Sequence, residues 1–133
     1  MTEIIALHAS PCRFDKFEMR LGGLHFGGIQ SAVVAVNRHL LRNKNHSGTF
    51  YLYKVKIKSH NVVSTQDAGE AHDWEDEANF LKAEVLKYVN RYEPDVTPSY
   101  AVFNTSCIEI LSVQEESTKD YLDGDGYWAE YYD

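Results

Sequence analysis

The sequence is short of sulfur and of positive charge, and it has no long apolar run. Cys12 and Cys107 are its two cysteines in 133 residues. Two are too few for a disulfide framework, and their spacing is not Cys-x-x-Cys, so neither a stapled secreted scaffold nor a dithiol redox motif is expected. No stretch approaches the roughly 20 apolar residues that cross a bilayer, and no membrane partner is expected. The start, Met1-Thr2-Glu3, lacks the basic residues and apolar stretch of a signal peptide. These features lead to the expectation of a cytoplasmic protein with free thiols. Lysine and arginine number 13 against 20 acidic residues, a formal charge of −7. Such a chain repels phosphate backbones, so non-specific nucleic-acid binding is not expected, while a basic protein partner stays open. Six histidines are present, but no pair has a standard ligand spacing, and no metal site is expected. A P-loop, a Rossmann fingerprint and a nucleophile elbow are also missing.

What is present is a composition of 44% hydrophobic and 13% aromatic residues, that of a packed domain. Ile4 to Leu7 does not alternate and reads as a strand buried on both sides. Phe14, Phe17 and Met19 are expected to pack a loop or short helix on the core. Leu24 to Phe26 reads as a very short strand. Ile29, Ala32, Val33, Val36 and Leu40 recur at helical spacing, predicting a helix from Gly28 to near Asn43 and then a loop over Lys44 to Gly48. Thr49 to Lys58 alternates, with Tyr51, Tyr53, Val55 and Ile57 on one face and Lys54, Lys56 and Lys58 on a solvated or edge face. Asn61 to Gly69 is turn-rich. Trp74, Ala78, Leu81, Val85 and Val89 form one stripe, predicting a second helix stopped at Pro94. Ser99 to Phe103 and Cys107 to Val113 read as strands about a turn at Asn104-Thr105-Ser106. The expected fold class is a small single α+β domain, with about five short strands around a split sheet and two main helices. It should cover residues 1–115, followed by an acidic, aromatic extension over 116–133.

The stretch from Leu7 to Ala32 organises the rest. An apolar run ends on His8, a turn follows at Ser10-Pro11, and Gly22-Gly23-Leu24-His25-Phe26-Gly27-Gly28 leads into the first helix. Taken singly, His8 and His25 read as packed histidines, Ser31 as a helix cap and the glycine pairs as turns. Taken together, two histidines at the ends of two short strands, flanked by glycines and a helix start, read as a bed for a phosphate-bearing cofactor.

Three segments carry a resemblance. Leu7-His8-Ala9-Ser10 is similar to a His-Gly-Ser/Thr motif. Gly23-Leu24-His25-Phe26 followed by Ser31-Ala32 is similar to a Gly-Ile-Tyr-Phe strand and its Ser-Ala helix. Ser99-Tyr100-Ala101-Val102-Phe103-Asn104, leading to Ile108, is similar to a Glu-Tyr-Ile-Val-Tyr-Asp strand. In this order, over residues 4–113, they resemble the ADP-ribosyltransferase fold, in particular its poly(ADP-ribose) polymerase-like branch with a His-Tyr-Glu pocket. The small size and the Trp74-Glu75 helix are also similar to short phage ADP-ribosyltransferases that inhibit CRISPR immunity.

The resemblance implies NAD as the cofactor, cleaved between nicotinamide and ribose, with ADP-ribose passed to a host protein or nucleic-acid acceptor. His8, Ala9, Ser10, His25, Phe26 and Ser31 would hold NAD. His8 would bond a ribose hydroxyl, Ala9 would offer backbone N–H and C=O to the nicotinamide amide, Ser31 would support that amide, and His25 would stand by the ring. Ala9 replaces the family's Gly and His25 its Tyr. Ser99 stands where the catalytic Glu falls, and a hydroxyl supplies no negative charge to a ribosyl cation. Glu75, ahead of Glu109, is therefore the expected carboxylate, which makes Glu75, Ser99 and His25 the implied catalytic set. The implied function is an NAD-dependent mono-ADP-ribosyltransferase of phage or bacterial origin. The alternative is a non-catalytic acidic inhibitor with a degenerate form of the fold.

Overall fold

A computed structural model describes residues 1–42, 48–89 and 97–120. Within these, the protein is an α+β domain with two α-helices and two sheets. Strands β1 (Thr2–Ser10), β3 (Thr49–Ser59) and β7 (Ile108–Ser117) form an antiparallel sheet in the order β1-β3-β7. Strands β2 (Leu24–Phe26), β6 (Ser99–Val102), β5 (Val85–Tyr88) and β4 (Val62–Ser64) form the second, in that spatial order. Helices α1 (Ile29–Arg42) and α2 (Ala71–Leu81) complete the domain. The parallel pair β4–β5 needs a crossover, and α2 supplies it. β4 and β5 are the two strands beyond the expected number.

The central strand β3 shows why the layers form. Tyr53, Val55 and Ile57 point between the sheets and pack with Ala6, Leu24, Phe26, Val85 and Val102. On its other face Phe50 and Leu52 meet Ala32, Val33, Val36 and Leu40 of α1. Helix α1 is rich in β-branched valine, a modest helix former, so this packing rather than propensity holds it. The helix covers only one end of that sheet face. At the uncovered end Lys54 is exposed and Lys58 pairs with Glu3 at 3.9 Å and Glu109 at 3.6 Å. The lysine face is thus the solvated part of a central strand. Ile5 lies 53% exposed beside it, which corrects the two-sided burial expected for Ile4 to Leu7. Phe17 is buried and Phe14 stacks on Tyr53 at 4.3 Å, whereas Met19 is exposed.

The second helix is shorter than its apolar stripe predicts. It ends at Leu81, and Val85 belongs to a strand while Val89 is exposed. Lys82 takes a left-handed conformation with φ 53°, its N–H donates to Asn79 O, and Ala83 N–H donates to Ala78 O. That pair of bonds is a Schellman stop with lysine in the place usually held by glycine. With no glycine or proline at the break, the stripe continues across it by coincidence.

β7 runs past residue 115 to Ser117, and Thr118 N–H donates to Gly48 O. The expected Asn104 turn is a short 3-10 turn over Thr105–Cys107, capped by the Asn104 side chain on Ser106 N–H. The expected loop at 44–47, the stop at Pro94 and the extension from residue 121 onward lie outside the described residues.

Two polar joints tie the sheets together. At one end Leu7 and Gly27 exchange N–H···O bonds of 2.8 and 2.9 Å, linking β1 to the residue after β2. At the other, the Glu84 carboxylate accepts from Ser59 Oγ at 2.6 Å, from Asn104 Nδ2 at 2.8 Å and from the Cys107 thiol. These donors hold Glu84 below the usual carboxylate range. Burial, and then the Glu84 carboxylate, push the Cys107 thiol up to about 12, so it stays protonated and unreactive.

Candidate functional site

The Leu7–Gly27 joint opens into a cleft of about 140 Å3. His8, Ala9, His25, Phe26, Ser31 and Ser99 all line it. They arrive from β1, β2, α1 and β6, so residues far apart in the chain converge because the two sheets meet here.

His8 Nδ1 lies 2.9 Å from the backbone oxygen of His25. A carbonyl only accepts, so the hydrogen sits on Nδ1 and Nε2 keeps a lone pair. The ring stands edge-on to Phe17 at 5.3 Å and tilted to Phe26 at 5.5 Å. Burial lowers its pKa below the ordinary histidine value, opposed by the carbonyl bond and reinforced by Arg20 and His25. His8 is therefore a neutral acceptor near pH 7.

His25 has the opposite tautomer. Its Nε2 donates to Gly22 O at 2.9 Å, which leaves Nδ1 to accept from the Tyr88 hydroxyl at 2.7 Å. Burial lowers its pKa as well; the Gly22 bond and Asp67 oppose this, while Arg20 adds to it. Trp74 stands edge-on to the ring at 5.0 Å.

Backbone geometry contributes too. Leu7 turns its N–H and C=O toward Gly27, away from β3. In an antiparallel ladder, residues two apart turn these groups the same way, so Ala9 presents its N–H and C=O on the cleft side. Ser31, 8% exposed, has a hydroxyl oxygen with no hydrogen-bond partner. A buried unpaired hydroxyl is costly and calls for an explanation, and a polar ligand is one. Gly27 keeps the space open: a Cβ there would lie 2.9 Å from Ser99 Oγ.

A second cleft of about 400 Å3 adjoins the first, with His25 and Tyr88 in the lining of both. Arg20, Arg38, Asp67 and Trp74 also line it. Two guanidinium groups beside aromatic walls suit an anionic, ring-bearing ligand.

The remaining expected residues lie elsewhere. Ser10 Oγ accepts from Cys12 N–H at 3.2 Å and shapes the turn after β1. Glu75 Oε1 accepts the Gly22 N–H at 2.9 Å and lines neither cleft. Glu109 lies on β7, exposed and paired with Lys58, and lines neither cleft. Among the described residues no group of three or more His, Cys, Asp or Glu is arranged to hold a metal ion. Nor is any helix there long and apolar enough to cross a membrane.

The chain matches no family model, no curated protein and no solved structure.

Tyr88, Arg20, Arg38 and Asp67 join the site without having been singled out in the sequence. Tyr88 was hidden by the helical stripe running over Val85 and Val89, although Val85-Leu86-Lys87-Tyr88 has the β-branched and aromatic character of a strand. Arg20 precedes the Gly22-Gly23 pair, and Asp67 caps a turn by accepting from Gly69 N–H at 3.0 Å. Both turns were visible in the sequence, but not the cleft between them.

Proposed function

We propose that the chain binds NAD across the two clefts and acts as an NAD-dependent mono-ADP-ribosyltransferase on a host macromolecule, as a phage or bacterial protein would. One observation carries this reading: His8, Ala9, His25, Phe26, Ser31 and Ser99 line a single cleft. Its 140 Å3 falls below the roughly 300–1,000 Å3 of sites for whole drug-sized ligands and suits one planar ring. The nicotinamide belongs there, its amide facing Ser31 Oγ and the Ala9 backbone, with a ribose hydroxyl on His8 Nε2. The pyrophosphate then runs toward Arg20 and Arg38 in the larger cleft. NAD supplies the ADP-ribose when its nicotinamide–ribose bond breaks. The chain's residues orient the dinucleotide, exclude water and meet the positive charge that builds on the ribose. None of the small cleft's described lining residues is a carboxylate. Asp67, beside His25 in the larger cleft, takes that role in this reading.

The same shortage favours a second reading, in which a non-catalytic acidic protein of this fold blocks a basic partner. Calorimetry with NAD, and mass spectrometry of host lysate incubated with NAD and the protein, separate the two. The first reading expects adducts of ADP-ribose mass, NAD affinity lowered roughly ten-fold by His8→Ala, and adducts lost in Asp67→Asn with affinity kept. Binding without adducts leaves a protein that holds NAD but does not transfer. No binding at millimolar NAD leaves the interaction reading alone.

A further inference from the structure

Both nitrogens of His25 are spent inside the protein, on Gly22 O and on the Tyr88 hydroxyl. The ring therefore has no lone pair left to offer a ligand. What sets it there is the turn Arg20–Gly23, closed by Gly23 N–H on Arg20 O at 3.1 Å, with Gly22 at φ 88° in the position where a type II turn requires glycine.

Helix α2 grips that turn along one face. Ala71, Trp74 and Glu75 are spaced i, i+3, i+4 and so lie together on the helix surface. Ala71 blocks any side chain at Gly22, whose Cβ would lie 2.8 Å from Ala71 Cα. Trp74 packs on His25 with the two rings at 72° and their centroids 5.0 Å apart. The Glu75 carboxylate accepts the Gly22 N–H at 2.9 Å, and the Gly22 carbonyl in turn accepts from His25 Nε2 at 2.9 Å.

We infer that Glu75 is a positioning residue: acting through Gly22, it fixes His25 as a neutral wall between the two clefts, with the hydrogen on Nε2. It touches no reacting atom. A charge-assisted bond to a turn amide is stronger than a neutral one, which is why a carboxylate suits a task that needs no proton transfer. The tautomer follows from the protein alone; its value for a ligand rests on the NAD reading above.

The test uses the full chain, 15N-labelled, at pH 7, with long-range proton–nitrogen correlations of the imidazoles recorded before and during titration with NAD. Wild type is expected to show His25 as one neutral tautomer, pyrrole-like at Nε2 and pyridine-like at Nδ1. Glu75→Gln keeps an oxygen that accepts the Gly22 N–H, so the pattern persists and NAD affinity changes less than about two-fold. Glu75→Ala loses the pattern to tautomer averaging, speeds exchange of the Gly22 amide, and weakens NAD binding roughly five-fold. Tyr88→Phe leaves the Gly22 side intact, so Nε2 stays protonated while the Nδ1 shift moves. A folded Glu75→Ala with unchanged His25 signals overturns the inference. A hydrogen on Nδ1 in wild type overturns it as well, whether or not any variant folds. Failure of NAD to bind would count against the NAD reading alone, because the tautomer is read without it.

Discussion

The two joints between the sheets differ in how completely their polar groups are used. At the Glu84 end, the carboxylate binds Ser59, Asn104 and Cys107, and a backbone bond from Phe103 N–H to Glu84 O at 2.9 Å closes the corner. Every group there has a partner within the chain. At the Leu7–Gly27 end, the backbone bonds are made but the Ser31 hydroxyl is unpaired, and His8 keeps an acceptor nitrogen turned to no carbonyl. At the Glu84 end Ser59 and Cys107 are buried while Glu84 and Asn104 reach solvent, whereas the Ser31 hydroxyl is buried without a partner. A closed set of bonds holds an architecture together. An incomplete one at the wall of a cavity is stability forgone, and binding is the ordinary reason for forgoing it.

The largest effect should come from damaging the complete joint. Glu84→Ala strips three donors of their acceptor, with Ser59 and Cys107 buried, and should cost about 2–3 kcal/mol in urea unfolding. A loss under about 0.5 kcal/mol would mean the bonds are replaced by water and the contrast between the joints fails.

A middle effect should come from pH. His8 and His25 both have pKa values lowered from the histidine norm, chiefly by burial. In the unfolded chain they titrate at about 6.5. As pH falls below that value, the unfolded state takes up protons that the folded state refuses, so stability drops. The contribution is complete above about pH 6.5 and is lost as pH falls toward the lowered folded values, at up to about 1.4 kcal/mol per pH unit for each histidine. Glu84, whose pKa is also lowered, acts on stability only in the more acidic carboxylate range. Urea midpoints that stay flat from pH 7.5 to 5.5 would show that the cleft histidines are hydrated.

The smallest effect on stability should come from Ser31→Ala, because its hydroxyl has no partner to lose. Unfolding should shift toward greater stability, by up to about 1 kcal/mol, as the unpaired hydroxyl is removed, while NAD binding weakens. A destabilisation as large as that of Glu84→Ala would show that the hydroxyl is in use within the fold.

Much of this fold could be read from periodicity. Helix α1 and strand β3 follow from the 3.6 and 2 spacings of their apolar residues, and the order of the short motifs brought His8, His25, Ser31 and Ser99 to one place. Periodicity failed where two elements shared a phase: the stripe Trp74, Ala78, Leu81, Val85 crosses from helix to strand at a left-handed lysine, which local sequence does not announce. Glu75 was found as a residue, but its placement depends on Gly22, fifty-three positions earlier, and no local pattern encodes that bond. Ile5 likewise looked like core because its run is apolar. Only the reach of α1, which covers Leu7 and Ala9 but not Ile5, decides its exposure.

Gly27 offers a clean experimental handle. A methyl group added there would meet the tip of the Ser99 side chain, which can rotate aside, and the Ser31 Cβ at an unstrained 3.6 Å. Gly27→Ala should therefore occlude the cavity from within at little cost to folding. It would give a plugged twin of the protein, against which any ligand or activity credited to the open form can be subtracted.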